Sequence, residues 1–105
     1  LSNAQKALQL ISQYGNLKTN WSYLEKFKTK FSLTDEFNNN LLMLSVQGNN
    51  LENFQFLLDK FNIDLEQKND NQHNAIELID LLPIDRKNLF TQAINSFKKK
   101  QLNNL

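Results

Sequence analysis

The stretch LLMLSVQGNNLENFQFLLDKFN, residues 41–62, decides the fold. Leu51, Phe54, Leu57, Leu58 and Phe61 follow one another at spacings of three, three, one and three, which places them on one face of a helix. The run before them, residues 41–46, is short and almost continuously apolar, a pattern that fits a strand or a buried helix equally well. The break at Gly48-Asn49-Asn50 makes the run a short helix hairpinned to the next one, with a six-residue β-strand as the runner-up.

The chain repeats itself. YLEKFK at residues 23–28 returns thirty-four positions later as LLDKFN at 57–62. The same offset aligns Leu8 with Leu42, Leu10 with Leu44, Leu17 with Leu51, Leu24 with Leu58, Lys26 with Lys60 and Phe27 with Phe61. It then aligns Leu42 and Leu44 with Ile76 and Leu78. Self-similarity at a fixed period of this size indicates stacked supersecondary units, each hiding its apolar side against the next. Between them lie polar, turn-rich connections, residues 34–40 and 67–74, expected to project as exposed loops.

TDEFNNNLLMLSVQGNNLENFQFLLDKFNIDLEQKND, residues 34–70, resembles one ankyrin repeat. Asp35, Leu42, the Gly48-Asn49 turn, Leu51-Glu52, Phe56-Leu57-Leu58 and Asp64-Leu65 fall on matching places of the ankyrin pattern. Asn38 stands where that pattern has Gly, Asn40-Leu41 replaces Thr-Pro, Met43 replaces His, Ser45 replaces the first Ala, and one residue is inserted near Phe61-Asn62-Ile63. The resemblance implies an all-α solenoid in one domain spanning residues 1–105, with units at about 4–32, 33–66 and 67–99. The third unit keeps Asn74-Ala75-Ile76-Glu77-Leu78 at its first-helix start. Its second helix, residues 89–97, is displaced by an extra turn at 82–85, where Pro83 or Asp85 can start a new helix, as in a terminal cap.

Composition narrows the function. With 105 residues and 40% hydrophobic content, the chain supports one modest core. Twelve basic against eleven acidic residues leave a charge of +1, which argues against a general nucleic-acid or membrane binder. The absence of Cys removes disulfides, thiolate catalysis and thiolate metal ligands, and fits an intracellular, cytoplasmic setting, with a translocated effector as a further option. No apolar run reaches the ~20 residues that span a bilayer, so no membrane insertion is expected, and the first residues lack a signal-peptide pattern. Ser2-Asn3-Ala4 matches a common expression-tag remnant and is left out of functional reasoning. Seventeen Asn accompany only two Gly and one Pro, so Asn is expected to take the left-handed turn positions that Gly takes elsewhere.

No residue set points to catalysis. His73 is the one imidazole and has neither Cys nor a second His to converge with, which makes it an exposed loop histidine. The pairs Asp35-Glu36, Asp64 with Glu66, and Glu77 with Asp80 are explained by turns and by solvated helix faces. No Gly-rich phosphate loop, nucleophile elbow or zinc-binding helix motif is present. Asn20-Trp21-Ser22 matches the glycosylation pattern inside a predicted helix and reads as chance. Trp21 lies in phase with Leu17 and Leu24, so it belongs to the core or caps it, with a binding anchor second. Together with Tyr23, Phe27 and Phe31 it thickens the first unit. Phe37 sits amid polar loop residues and is either an exposed interface anchor or folded back on a neighbour. Lys98, Lys99 and Lys100 favour a helix C-terminus electrostatically.

The expected function is therefore a non-catalytic protein-protein interaction module that needs no cofactor or metal and has another protein as its partner. By the ankyrin resemblance, the partner surface comprises Glu36, Phe37, Asn39, Met43 and Gln47 in one unit, and Asn71, Gln72, His73, Glu77 and Asp80 in the next. A capping or spacer segment of a longer array is the alternative. Nucleic-acid binding through the lysine-rich end is a third reading, disfavoured by the near-neutral charge.

Overall fold

The computed structural model describes residues 3–26 and 33–103, and every regular element within them is helical. In chain order these are α1 (Asn3–Tyr14), α2 (Trp21–Leu24), α3 (Leu41–Gln47), α4 (Leu51–Lys60), α5 (Ala75–Ile79) and α6 (Ile84–Asn103). Phe27 and Phe31, assigned above to the first aromatic cluster, lie outside the described residues.

Residues 41–46 are helical, so the strand alternative is not realised. The Asn40 side chain accepts the Met43 N–H at 3.0 Å and caps the helix. All six residues are buried, because α3 lies between α1 and α5 and also packs on α4. A helix covered all round has no polar face to spare, which is why its sequence lacks the usual 3.6-residue alternation.

α1, α3 and α5 are successive neighbours in one layer; α4 and α6 pack together in a second. Asn50 caps α4 by accepting the Asn53 N–H at 3.2 Å. Glu52 in the first turn and Lys60 in the last oppose the helix dipole favourably. α5 begins with a reciprocal box: the Asn74 side chain accepts the Glu77 N–H at 2.8 Å, and Glu77 accepts the Asn74 N–H at 3.1 Å. α6 is longer than expected, running from Ile84 through Asn103, so Ile84 and Asp85 belong to the helix and not to an added turn. Pro83, which lacks an N–H and holds a helix-compatible φ, immediately precedes it, and its carbonyl accepts the Lys87 N–H at 2.8 Å.

Within the second layer, Phe54 of α4 and Phe90 of α6 are both fully buried, and their rings stand edge to face at 5.1 Å. Trp21 is half-buried and makes similar contacts with Phe56 at 5.5 Å and Phe61 at 5.4 Å, so it closes the core edge as the phase argument expects. Leu24 and Leu58 are both buried and Lys26 and Lys60 both exposed, whereas Tyr23 is exposed and its aligned partner Leu57 is buried.

Polar pins set the layer spacing. Asn53, buried on α4, accepts the Leu17 N–H at 2.9 Å and donates to the carbonyls of Ile11, Ser12 and Gly15 at 2.8, 3.0 and 3.1 Å. One amide therefore reaches three carbonyls at the C-terminus of α1, of which Ser12 has no other donor among the described residues. Asn50 adds a 2.9 Å bond to Gly15. Arg86, at the start of α6, reaches back in the same way to the Asn49 side chain at 2.8 Å.

Candidate interaction surface

The two long connections are wired alike, thirty-four residues apart. In the first, the Asp35 carboxylate accepts the N–H groups of Phe37 and Asn39 at 2.9 and 2.8 Å, while the Asp35 N–H donates to the Asn39 carbonyl at 3.0 Å. In the second, the Asn69 side-chain oxygen accepts the N–H groups of Asn71 and His73 at 3.0 and 3.1 Å, while the Asn69 N–H donates to the His73 carbonyl at 3.0 Å. Asn38 and Gln72 occupy the same left-handed place, with φ of 62° and 64°. A third left-handed residue, Asn49, has φ of 52°. Asn thus does the turn work expected of it at two of these three positions.

The two loops are also tied to each other. The Asp70 N–H donates to the Phe37 carbonyl at 3.0 Å, Asn38 donates its side-chain amide to the Asp70 carboxylate at 2.7 Å, and Asn69 donates to the Asn39 side chain at 2.8 Å. Gln47 joins from α3 through a 3.2 Å bond to the same Asn39 oxygen.

This network sorts the expected surface residues. Phe37 stays 59% exposed at the tip, with its backbone held on both sides, so it does not fold back on a neighbour. Glu36, Gln47, Asn71, Gln72 and Asp80 are exposed, and His73 is half-buried. Two residues must be withdrawn: Met43 is 0% exposed in the centre of α3, and Asn39 is 6% exposed and spent on holding the loops together. Glu77 also differs from expectation, because its carboxylate closes the α5 capping box instead of facing water alone. Asp80 makes a 3.3 Å ion pair with Lys87.

No protein-family model, curated protein or solved structure matches this chain. Its surface is read from its own chemistry.

A feature absent from the expected surface lies beside the first loop. Lys6, Gln9, Leu10 and Gln13 form one stripe of α1, and with Asp35, Glu36 and Leu44 they line a groove of about 360 Å³. Leu10 is 60% exposed there, although its aligned partner Leu44 is buried. The offset that pairs Leu10 with Leu44 hides this difference, because Leu44 sits on α3, which lies between α1 and α5. The spacing i, i+3, i+4, i+7 within α1 was the available signal. A second groove of about 300 Å³ runs between α4 and α6, with Leu51, Leu58, Ala93 and Phe97 in its lining. Among the described residues no helix is long and apolar enough to cross a membrane.

Proposed function

We propose that the chain is a short ankyrin-like solenoid acting as a non-catalytic recognition module for another protein, with Phe37 as its anchor. The carrying observation is an aromatic ring 59% exposed at the tip of a loop whose backbone is fixed by Asp35 on one side and Asp70 on the other. A large apolar side chain on a backbone already fixed before contact loses little backbone entropy on binding, which suits it to an interface hot spot. Glu36, Gln47, Asn71, Gln72 and His73 surround it with polar groups that fix register. The recurring loop wiring at thirty-four residues supports the repeat reading. The near-neutral charge and the pairing of Lys100 with Asp59 at 3.5 Å favour a protein partner over nucleic acid.

The test compares wild-type and Phe37→Ala chains as baits in extract of the source cell, with quantitative mass spectrometry. A hot-spot loss of ~2 kcal/mol corresponds to roughly thirty-fold weaker binding. Equal recovery by a Phe37→Ala chain with unchanged thermal unfolding overturns the assignment.

A second reading, a structural segment of a longer array, is favoured by Ile76, which is 36% exposed while its aligned partners Leu8 and Leu42 are buried. Concentration-dependent self-association in sedimentation, relieved by Ile76→Glu, would support it.

A further inference from the structure

The pairing of the two loops leaves one edge open. Asp70 donates its N–H to the Phe37 carbonyl, which joins the second loop to the first. Thirty-four residues earlier the corresponding donor is the N–H of Glu36, and among the described residues it makes no hydrogen bond. Glu36 lines the groove between α1 and the first loop. So does Gln9, whose side-chain Nε2 is buried without a hydrogen-bond partner. The Glu36 N–H is therefore a donor without an acceptor beside a cleft whose apolar lining is Leu10 and Leu44, whereas Gln9 Nε2 is enclosed, and Gln9 also lines a closed space with Leu8, Leu33 and Leu41.

A donor of this kind requires a carbonyl oxygen, and an extended peptide presents one on the same edge at every second residue, about 6.6 Å apart. Its side chains alternate, so an apolar one can lie on Leu10 and Leu44 while its neighbours point along the rim. The rim at the loop carries the carboxylates of Asp35 and Glu36. Asp35 spends its oxygens on loop N–H groups, whereas the exposed Glu36 carboxylate has no ion pair among the described residues. Lys6 lines the same groove from α1, so the negative rim belongs to the loop side. A phosphate-bearing ligand is repelled there, and a cationic side chain is attracted.

We infer that this groove binds an extended peptide segment of a partner protein, in which a leucine-like residue is flanked by Lys or Arg. The peptide adds to the free edge of the first loop, as the second loop does on the other side: a carbonyl accepts the Glu36 N–H, the apolar side chain covers Leu10, and a cation pairs with Glu36. The inference rests on the chain being a protein-recognition module, and it adds a second contact region to the Phe37 tip.

The test is a ¹H–¹⁵N correlation titration of the whole chain with an N-acetylated, C-amidated Gly-Lys-Leu-Lys-Gly peptide, beside the same peptide with Glu for Lys. The expected result is movement of the Glu36 backbone resonance by the Lys peptide alone. Glu36→Lys and Leu10→Asp each weaken it tenfold or more; both sites are exposed, and the same spectra report whether the variants are folded. Phe37→Ala leaves the titration unchanged. Groove resonances that stay still at millimolar peptide, or that move equally with the Glu peptide, overturn the inference. Movement confined to Phe37, Asn71 and Gln72 also overturns it while leaving the loop-tip reading standing.

Discussion

Gly48 lies directly against the backbone of Gln13: a Cβ placed on Gly48 would stand 2.0 Å from the Gln13 carbonyl oxygen and 2.8 Å from its carbonyl carbon. The φ of Gly48 is −80°, so glycine is required there by close approach and not by a left-handed backbone. This contact is where the end of α3 meets the end of α1. Gly48→Ala is expected to push the two apart at a cost of about 3 kcal/mol, the upper range for overpacking a close contact. Urea denaturation measures the loss, and hydrogen exchange in α1 should quicken more than in α6. An unchanged midpoint would mean that α1 packs differently.

Asn53 holds the same junction by hydrogen bonding. Asn53→Ala strands the Leu17 N–H and the Ser12 carbonyl in a buried place, while the carbonyls of Ile11 and Gly15 keep the Gly15 N–H and the Asn50 amide as donors. Leaving such groups unpaired costs on the order of 3 kcal/mol in total, given 1–3 kcal/mol for a single buried group and partial relief by water. Gln55→Ala, exposed on the same helix, should change stability by less than about 0.5 kcal/mol. Equal midpoints for the two variants would contradict the pin.

Gln72 has φ of 64° without the side-chain chemistry that makes this region easy. Gln72→Gly is expected to stabilise the chain by about 0.5–1 kcal/mol, after the greater unfolded-state entropy of Gly is set against the relieved strain. Thermal unfolding reads the sign. Asn38→Ala should move the other way, because Asn38 also donates to Asp70.

Met43 and Phe37 belong to opposite environments despite their shared place in the expected surface. Met43→Ala opens a cavity between packed helices and is expected to cost ~2–4 kcal/mol without a selective effect on partner recovery. Phe37→Ala is expected to cost less than about 1 kcal/mol while abolishing that recovery. Paired denaturation curves and pull-downs from the same preparations separate the two.

Local chemistry was enough to read several features. The stripe from Leu51 to Phe61 declares a helix because only a 3.6-residue period brings those residues to one side. Asn40 and Asn74 precede their helices by one residue, where a short side-chain oxygen meets the free N–H groups of the first turn. The turn roles of Asp35 and Asn38 were legible because turn residues contact their own backbone, whereas Phe37 was left open between exposure and folding back, and only the tertiary structure decided it.

Burial of particular side chains was decided elsewhere. Met43 disappears because α1 and α5 both cover α3, while Leu10 emerges because no further helix among the described residues covers its side of α1, though the repeat aligns it with buried Leu44. Asn53 is polar by type and lies fully inside because the end of α1 arrives with the Ser12 carbonyl in need of a donor. Sequence alone determined that the chain forms helical hairpins joined by Asn-rich turns, since those features depend on residues a few positions apart. The tertiary structure alone decided which faces meet water and where the groove opens, because exposure depends on what the neighbouring layer brings into contact.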